Sequence, residues 1–375
     1  MVNMTIESVF TKNNMIQAAK RVQKKKSAGI DGISAKEAIG TIKVNYDVIY
    51  KALTSNSYTP NKVFLNEIPK SNGKKRPIAI ATATDRTIQG CLNNALYPLF
   101  EKEMSPNSYG FIKGRNCMMA VDKLKTYYEA EYRYAVKIDL SGCFNHISQD
   151  KILYKLRQKI DDPRITRLIN KYLKIVYITC AGEYKNFLGC PQGSPLSPLF
   201  ANIILTDLDK EFERRGYAFV RYADDIVIAY KSEMAANNGM RKIITLIERY
   251  NLEINENKVE ICNILRGFNF LGFHIYKNNG IHIVPAIGRE HRLKDKIRNI
   301  INMNQNTMVH DLNQELRGWI NYYKNSEVRH KCRSIDLFIN KEIWKTEKRI
   351  SHQINREKLI NCHEYYKKIS ASKPE

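Results

Sequence analysis

The stretch FVRYADDIVIAY, Phe219 to Tyr230, sets two adjacent aspartates between two short apolar runs. Phe219 and Val220 on one side, and Ile226, Val227, Ile228 and Ala229 on the other, have the aromatic and β-branched character of buried strands. Asp224 and Asp225 therefore fall at the crest of a hairpin whose arms belong in a core. Aspartate is common in turns because its carboxylate accepts from nearby backbone N–H groups, so YADD alone carries little weight. The flanks alter that balance. Two carboxylates at the rim of a core are partly desolvated and repel one another unless a cation neutralises them.

A third acid strengthens this reading. YAVKIDL, Tyr134 to Leu140, reads as another short buried strand, with Asp139 near its end. A sheet that lays this strand beside the hairpin brings three carboxylates together. Hard oxygen ligands with positions left open suit Mg2+, with Mn2+ as a substitute. Two such ions about 4 Å apart can activate an attacking hydroxyl and stabilise a leaving pyrophosphate. Asp139, Asp224 and Asp225 are thus the candidate metal ligands and catalytic acids of a phosphoryl-transfer centre.

The overall charge names the class of partner. The 375 residues hold 61 Lys and Arg against 38 Asp and Glu, a formal net charge of +23. Such a surface calls for a polyanion, above all nucleic acid. The excess is concentrated at the two ends, around a nearly balanced middle, which suggests two gripping regions about an acidic site. The eight cysteines form no CxxC pair and show no zinc-ligand spacing, so reduced intracellular thiols are expected. There is no run of 18 apolar residues, and MVNMTIESVF is not a secretory signal. A soluble cytoplasmic protein without a membrane partner is expected. Oligomeric state is not legible.

Periodicity supplies the frame. Helical spacing covers 85–103, 116–131, 149–159, 163–176 and 233–250, and a long helix starts near Ser197. VFLNEIPKSNGKKRPIAIAT reads as a hairpin turning at Ser71-Asn72-Gly73, and FNFLGFHIYKNNGIHIV as a pair of strands. In the last ninety residues, Val309, Leu312, Leu316, Trp319, Ile320 and Tyr323 share one helical face. Ile335, Phe338, Ile339, Ile343 and Trp344 share another. Three parts are expected: an N-terminal extension over 1–60 with the loop GIDGIS (Gly29–Ser34), a central α+β region over 61–285, and a helical region over 286–375.

These blocks stand in a telling order. Asp139 followed five positions later by Phe144, then PQGSPLSP (Pro191–Pro198), YADD (Tyr222–Asp225) and LGFHI (Leu271–Ile275), resembles reverse transcriptases. SNGKKRPIAIATATDRTIQGCL (Ser71–Leu92), SPNSYGFIKGRN (Ser105–Asn116), GIDGIS and LRGWINYYK (Leu316–Lys324) are similar to the group II intron-encoded and group II-like branch. The resemblance covers nearly the whole chain. It implies a right-hand polymerase, with fingers, a palm whose antiparallel sheet carries the YADD hairpin, and an α-helical thumb. It implies an RNA-directed DNA polymerase that adds deoxynucleotides to a primer 3'-OH on an RNA template, and also a maturase that binds a structured intron-like RNA.

The resemblance also distributes roles. Asp139 and Asp224 would be the principal metal ligands, with Asp225 beside them. Phe144 would lie beneath the incoming sugar and exclude a 2'-hydroxyl. Lys70 and Arg76 would hold the triphosphate, a task that suits guanidinium. Gln192 and Gly193 would lie against the nascent base pair, and Arg115 would brace the template or the nucleotide pocket. Lys258 would protonate the departing pyrophosphate. Lys74 and Lys75 would face template backbone, Gly272 would hold the primer end, and Arg317 and Lys324 would contact the groove of the duplex. Trp319 and Tyr323 lie on the apolar stripe and are expected in the core. Full intron proteins often continue into a DNA-binding region and an endonuclease. Neither is visible here, so target cleavage is not expected of this chain. Alternatives are an RNA-binding splicing cofactor with little polymerase use, and a relative recruited to defence or DNA repair. An RNA-templated RNA polymerase is disfavoured by Phe144.

Overall fold

A computed structural model describes residues 4–24, 27–69, 73, 75–303, 307–350 and 358–371. The chain divides into two compact units. The first comprises Met1–Asn116, Val136–Ile228 and Met234–Glu260; the second comprises Cys117–Ala135, Ala229–Glu233 and Ile261–Glu375.

In the first unit, β1 (Val63–Pro69) and β2 (Lys75–Ile80) form the expected antiparallel hairpin, with Ile68 opposite Arg76. The residues Ser71 and Asn72 of its turn lie outside the described residues. Sequence reading missed that this hairpin is half of a larger sheet. After β3 (Tyr134–Asp139), the chain forms β4 (Val176–Thr179) and β5 (Gly182–Lys185), giving the order β2-β1-β4-β5. The helix expected over 163–176 therefore stops at Leu173, and Val176 at its expected end opens a strand. Val176, Ile178 and Thr179 are β-branched, and strand pairing with β1 overrides the helical spacing.

Helix starts follow local chemistry. Thr82 caps Ala83–Glu101, Ser148 caps Gln149–Arg157, and Asp162 caps Pro163–Leu173 with proline in the first turn. The helix Ser197–Arg214 is mostly apolar in its first half and is buried along most of its length. It packs against β6 (Ala218–Tyr222), where Phe212 and Phe219 meet edge to face at 5.1 Å. A two-residue turn joins β6 to β7 (Asp225–Tyr230), and β8 (Glu260–Asn263) completes a sheet of order β6-β7-β3-β8. The acid-bearing ends of β3 and β7 fall within the first unit.

The second unit holds a three-stranded antiparallel sheet, where a pair was expected: β9 (Phe268–Phe270), β10 (Phe273–Lys277) and β11 (Ile281–Pro285). The extra strand is β9, only three residues long and too short to show a period of its own. Helices Arg289–Met303, Met308–Tyr323, Arg329–Ile350 and Cys362–Ala371 follow. Leu312, Leu316, Ile320 and Tyr323 are buried as their spacing predicts. Trp344 departs from expectation. Its ring is 52% exposed and lies under the Lys348 ammonium at 3.9 Å, while Ile335, Ile339 and Ile343 line the buried stripe. Residues 343 and 344 are adjacent, and a helix turns successive side chains about 100° apart. Among the described residues, no helix is long and apolar enough to cross a membrane.

Candidate active site

The three acids arrive from two neighbouring strands. Asp139 ends β3, Asp224 sits in the turn, and Asp225 opens β7. β3 and β7 are adjacent, and the Leu140 N–H donates to the Asp224 carbonyl at 3.2 Å. The sequence expectation that distant acids meet is met at the level of the backbone. All three side chains are half-buried.

Their electrostatics follow from this crowding. The Asp225 carboxyl is pushed up to about 6, chiefly by burial and then by the charges of Asp224 and Asp139. Asp224 is raised as well, with burial the largest cause; Asp139 adds to the rise, and Arg76 and Lys258 oppose it. The Lys258 ammonium donates to Asp139 Oδ2 at 3.0 Å, and the Asn255 amide reaches the same oxygen at 3.4 Å. Sequence reasoning missed Asn255, which lies in a polar segment with no period to mark it.

Would these residues suit divalent ions? The donors are hard carboxylate oxygens, and at Asp224 and Asp225 the ionised form is disfavoured without a cation, which is the chemistry Mg2+ relieves. Among the described residues, no group of three His, Cys, Asp or Glu side chains is arranged to hold a metal by itself. Mg2+ needs no such closed shell, because it keeps waters and substrate phosphates among its ligands and takes one or two carboxylates from protein. Asp139 and Asp224 line the cavity described next and fit that role. Asp225 is not part of its lining, although the charges of Asp224 and Asp139 raise its carboxyl.

An open cavity of about 630 Å³ adjoins the acids. Arg76, Phe144, Gln192, Gly193 and Lys258 line it together with Asp139 and Asp224. Phe144 lies on the short helix Cys143–His146, which follows directly after the acid-bearing strand. Gly193 has φ +109°, and a Cβ there would fall onto the Ala79 carbonyl oxygen. The Ala79 N–H donates to the Gln192 carbonyl at 2.6 Å, so the QG loop is fastened to the end of β2. Only glycine permits that approach.

Phe111 was missed from sequence. It lines the cavity, is 50% exposed, and meets Phe144 edge to face at 6.1 Å. The preceding residue explains its placement. A Cβ at Gly110 would fall onto the Ala223 backbone nitrogen, so glycine lets this loop press against the acidic turn.

The remaining candidates lie elsewhere. Arg115 does not line the cavity. Its guanidinium donates to the carbonyls of Ser105 (2.5 Å) and Ser108, so it braces the loop leading to Gly110. Lys75 is on β2, exposed and paired with Glu67 at 2.7 Å. Lys70 and Lys74 lie outside the described residues. In the second unit, Gly272 has φ +80°, and its carbonyl accepts from the Tyr323 hydroxyl at 3.1 Å. The Tyr322 hydroxyl donates to the Leu271 carbonyl at 2.7 Å, and its ring stacks on Phe273. Tyr322 thus braces the LGF turn. Arg317 and Lys324 are both exposed at the C-terminal half of the helix Met308–Tyr323 and just beyond it.

The chain is similar to known proteins over most of its length. Residues 68–275 match the family reverse transcriptase (RNA-dependent DNA polymerase), and residues 291–361 match the group II intron, maturase-specific domain. Protein YkfC of Escherichia coli is 27% identical over 305 residues, 70% of this chain and 80% of that one. The group II intron-encoded protein LtrA of Lactococcus lactis is 35% identical over 186 residues, 49% of this chain and 31% of LtrA. The putative COX1/OXI3 intron 2 protein of Saccharomyces cerevisiae is 24% identical over 82% of this chain and 42% of its own length. The chain thus spans well under two thirds of these two intron proteins. A telomerase structure from Candida albicans superposes with a TM-score of 0.50 at 13% identity, over 89% of this chain and 68% of that one. That likeness is one of fold, the right-hand polymerase architecture.

Proposed function

Since the chain belongs to the reverse transcriptase family, in its group II intron-encoded, maturase-bearing branch, we propose that it is an RNA-directed DNA polymerase extending a primer 3'-OH with deoxynucleotides. The observation that carries this reading is the adjacency of Asp139 and Asp224 on the wall of a cavity that also holds Arg76, Phe144 and Lys258. Mg2+ bound there, at two positions, would supply Lewis acidity toward the primer hydroxyl and the pyrophosphate oxygens.

The side chains divide the remaining work. Asp139 and Asp224 present carboxylate oxygens to the ions, and Asp225 adds negative charge behind them. Arg76 faces the triphosphate with a planar donor fork. Phe144, with Phe111 against it, forms the wall on which the sugar rests and excludes a 2'-hydroxyl. The Gln192–Gly193 backbone lies beside the nascent base pair. Lys258 holds a proton on Nζ within reach of the leaving pyrophosphate, and its contact with Asp139 orients it in the absence of substrate. Gly272, Arg317 and Lys324 are assigned to contacts with the primer-template duplex.

A second role has its own support. The maturase-specific match over residues 291–361, with a basic sequence in that region, favours binding of a structured intron-type RNA. Primer extension on poly-rA with oligo-dT and Mg2+ tests the polymerase. Wild type is expected to extend the primer, and Asp224→Asn to abolish extension while RNA binding survives. An Asp224→Asn protein that extends normally would overturn the assignment; loss of binding and extension together would make Asp224 structural.

A further inference from the structure

Among the described residues Arg221 heads the large fully buried side chains, an arginine near the end of the apolar strand that leads into YADD. A buried guanidinium must be paired and hydrogen-bonded. Its Nε and Nη2 donate to the two carboxylate oxygens of Asp209 at 2.7 and 2.6 Å. Asp209 is equally buried. Nη1 is left over, and it donates to Asn202 Oδ1 at 3.0 Å and to the Ala223 carbonyl at 3.1 Å. Asn202 and Asp209 stand seven residues apart, on one face of the helix Ser197–Arg214.

Both ends of this cluster reach strained backbone. Ala223 has φ +57°, a left-handed conformation that alanine disfavours, and it immediately precedes Asp224. The Asn202 amide donates to the Gly110 carbonyl at 2.9 Å, and the next residue, Phe111, has φ +59°. We propose that Arg221, Asp209 and Asn202 form a buried positioning cluster that holds the acidic turn and the Phe111–Phe144 wall in one fixed relation. The kinetic part of this inference rests on the nucleotidyl-transfer reading above. Packing alone does not call for these residues: well-packed apolar side chains of similar volume often replace a buried ion pair at no loss of stability. No apolar pair, however, can hold the Ala223 carbonyl from behind.

The test exploits that asymmetry. The double variant Arg221→Met with Asp209→Leu removes the pair without leaving a lone buried charge, so it is expected to stay folded, with its melting point lowered only by the unpaired Ala223 carbonyl and Asn202 amide oxygen. Mn2+ binding, followed by electron paramagnetic resonance with Asp224→Asn as the control that lacks the site, should weaken at least about tenfold. The kcat for deoxynucleotide addition should fall about 100-fold, as for displaced reacting groups, while KM for primer-template stays put. Asn202→Ala leaves the Arg221–Asp209 pair in place; it should weaken Mn2+ binding several-fold and lower the preference for deoxynucleotides over ribonucleotides. Folded variants with wild-type Mn2+ affinity and kcat would overturn the proposal. So would an Asn202→Ala protein unchanged in both readouts, whether or not the double variant folds. Should wild type bind Mn2+ through Asp224 yet extend no primer, the polymerase reading falls and the Mn2+ affinities alone decide the cluster.

Discussion

Asp225 shows what crowding acids at the rim of a core costs. Its carboxyl is raised to about 6 by burial and by two neighbouring acids. A folded value above the unfolded one means that the group contributes stability below the ordinary carboxylate range, lost as pH rises through about 6. Without divalent ions, the protein is expected to lose on the order of 2 kcal/mol across that window. Melting temperatures in EDTA from pH 4.5 to 7 should therefore fall more steeply for wild type than for Asp225→Asn, and Mg2+ should flatten the wild-type slope. Parallel curves for the two proteins would remove Asp225 from the electrostatics of the site. Phe144 makes a separate prediction. It lines the cavity beside Asp139, so Phe144→Ala should admit ribonucleotides and leave RNA binding intact. If wild type already used both sugars equally, the ring would have no selective role. Arg221 shows where residue-level reading failed. An arginine in an apolar strand was a visible signal, but its partners Asp209 and Asn202 look like ordinary helix polar residues until the helix is docked.

Among the elements, the anchoring of the helix Ala83–Glu101 is the most exacting. Asp85 in its first turn is fully buried, and among the described residues no cation pairs with it. It accepts from the hydroxyls of Tyr58 (2.8 Å), Tyr172 (2.9 Å) and Thr82 (2.7 Å), and from both nitrogens of Asn61. These donors converge on the carboxyl at the helix N-terminus, and they tie three stretches of chain to the base of β1. Asp85→Ala would strand several buried donors, and is expected to destabilise the protein by about 3 kcal/mol or more. Chemical denaturation measures this; a change below about 1 kcal/mol would mean that water or neighbours replace the carboxylate. Element boundaries were legible where a single period governed them, as in Ser197–Arg214 and the YADD hairpin. They were not legible at 174–185, where the partner strand lies more than a hundred residues upstream.

For the molecule as a whole, the charge of +23 sets the binding physics. RNA affinity should fall steeply with salt, by a slope of about −0.7 in log-log form for each single-strand phosphate neutralised. Several such contacts are expected, so a slope shallower than about −2 between 50 and 300 mM salt would deny the basic ends their role as grips. Filter binding or fluorescence anisotropy reads this directly.

Local composition, period and motif order were enough to determine the acidic hairpin and the strand bearing Asp139, and to raise the expectation of divalent ions and a polyanionic partner. Each depends on residues close together in the chain or on summed charge. Only tertiary structure could decide that Asp139 and Asp224 share a cavity wall while Arg115 turns to loop carbonyls. It likewise decided that Phe111 stands against Phe144 and that Arg221 finds its acid on a helix. Those outcomes depend on which distant groups are left to satisfy a buried charge or a bare carbonyl, and no spacing along the chain records that.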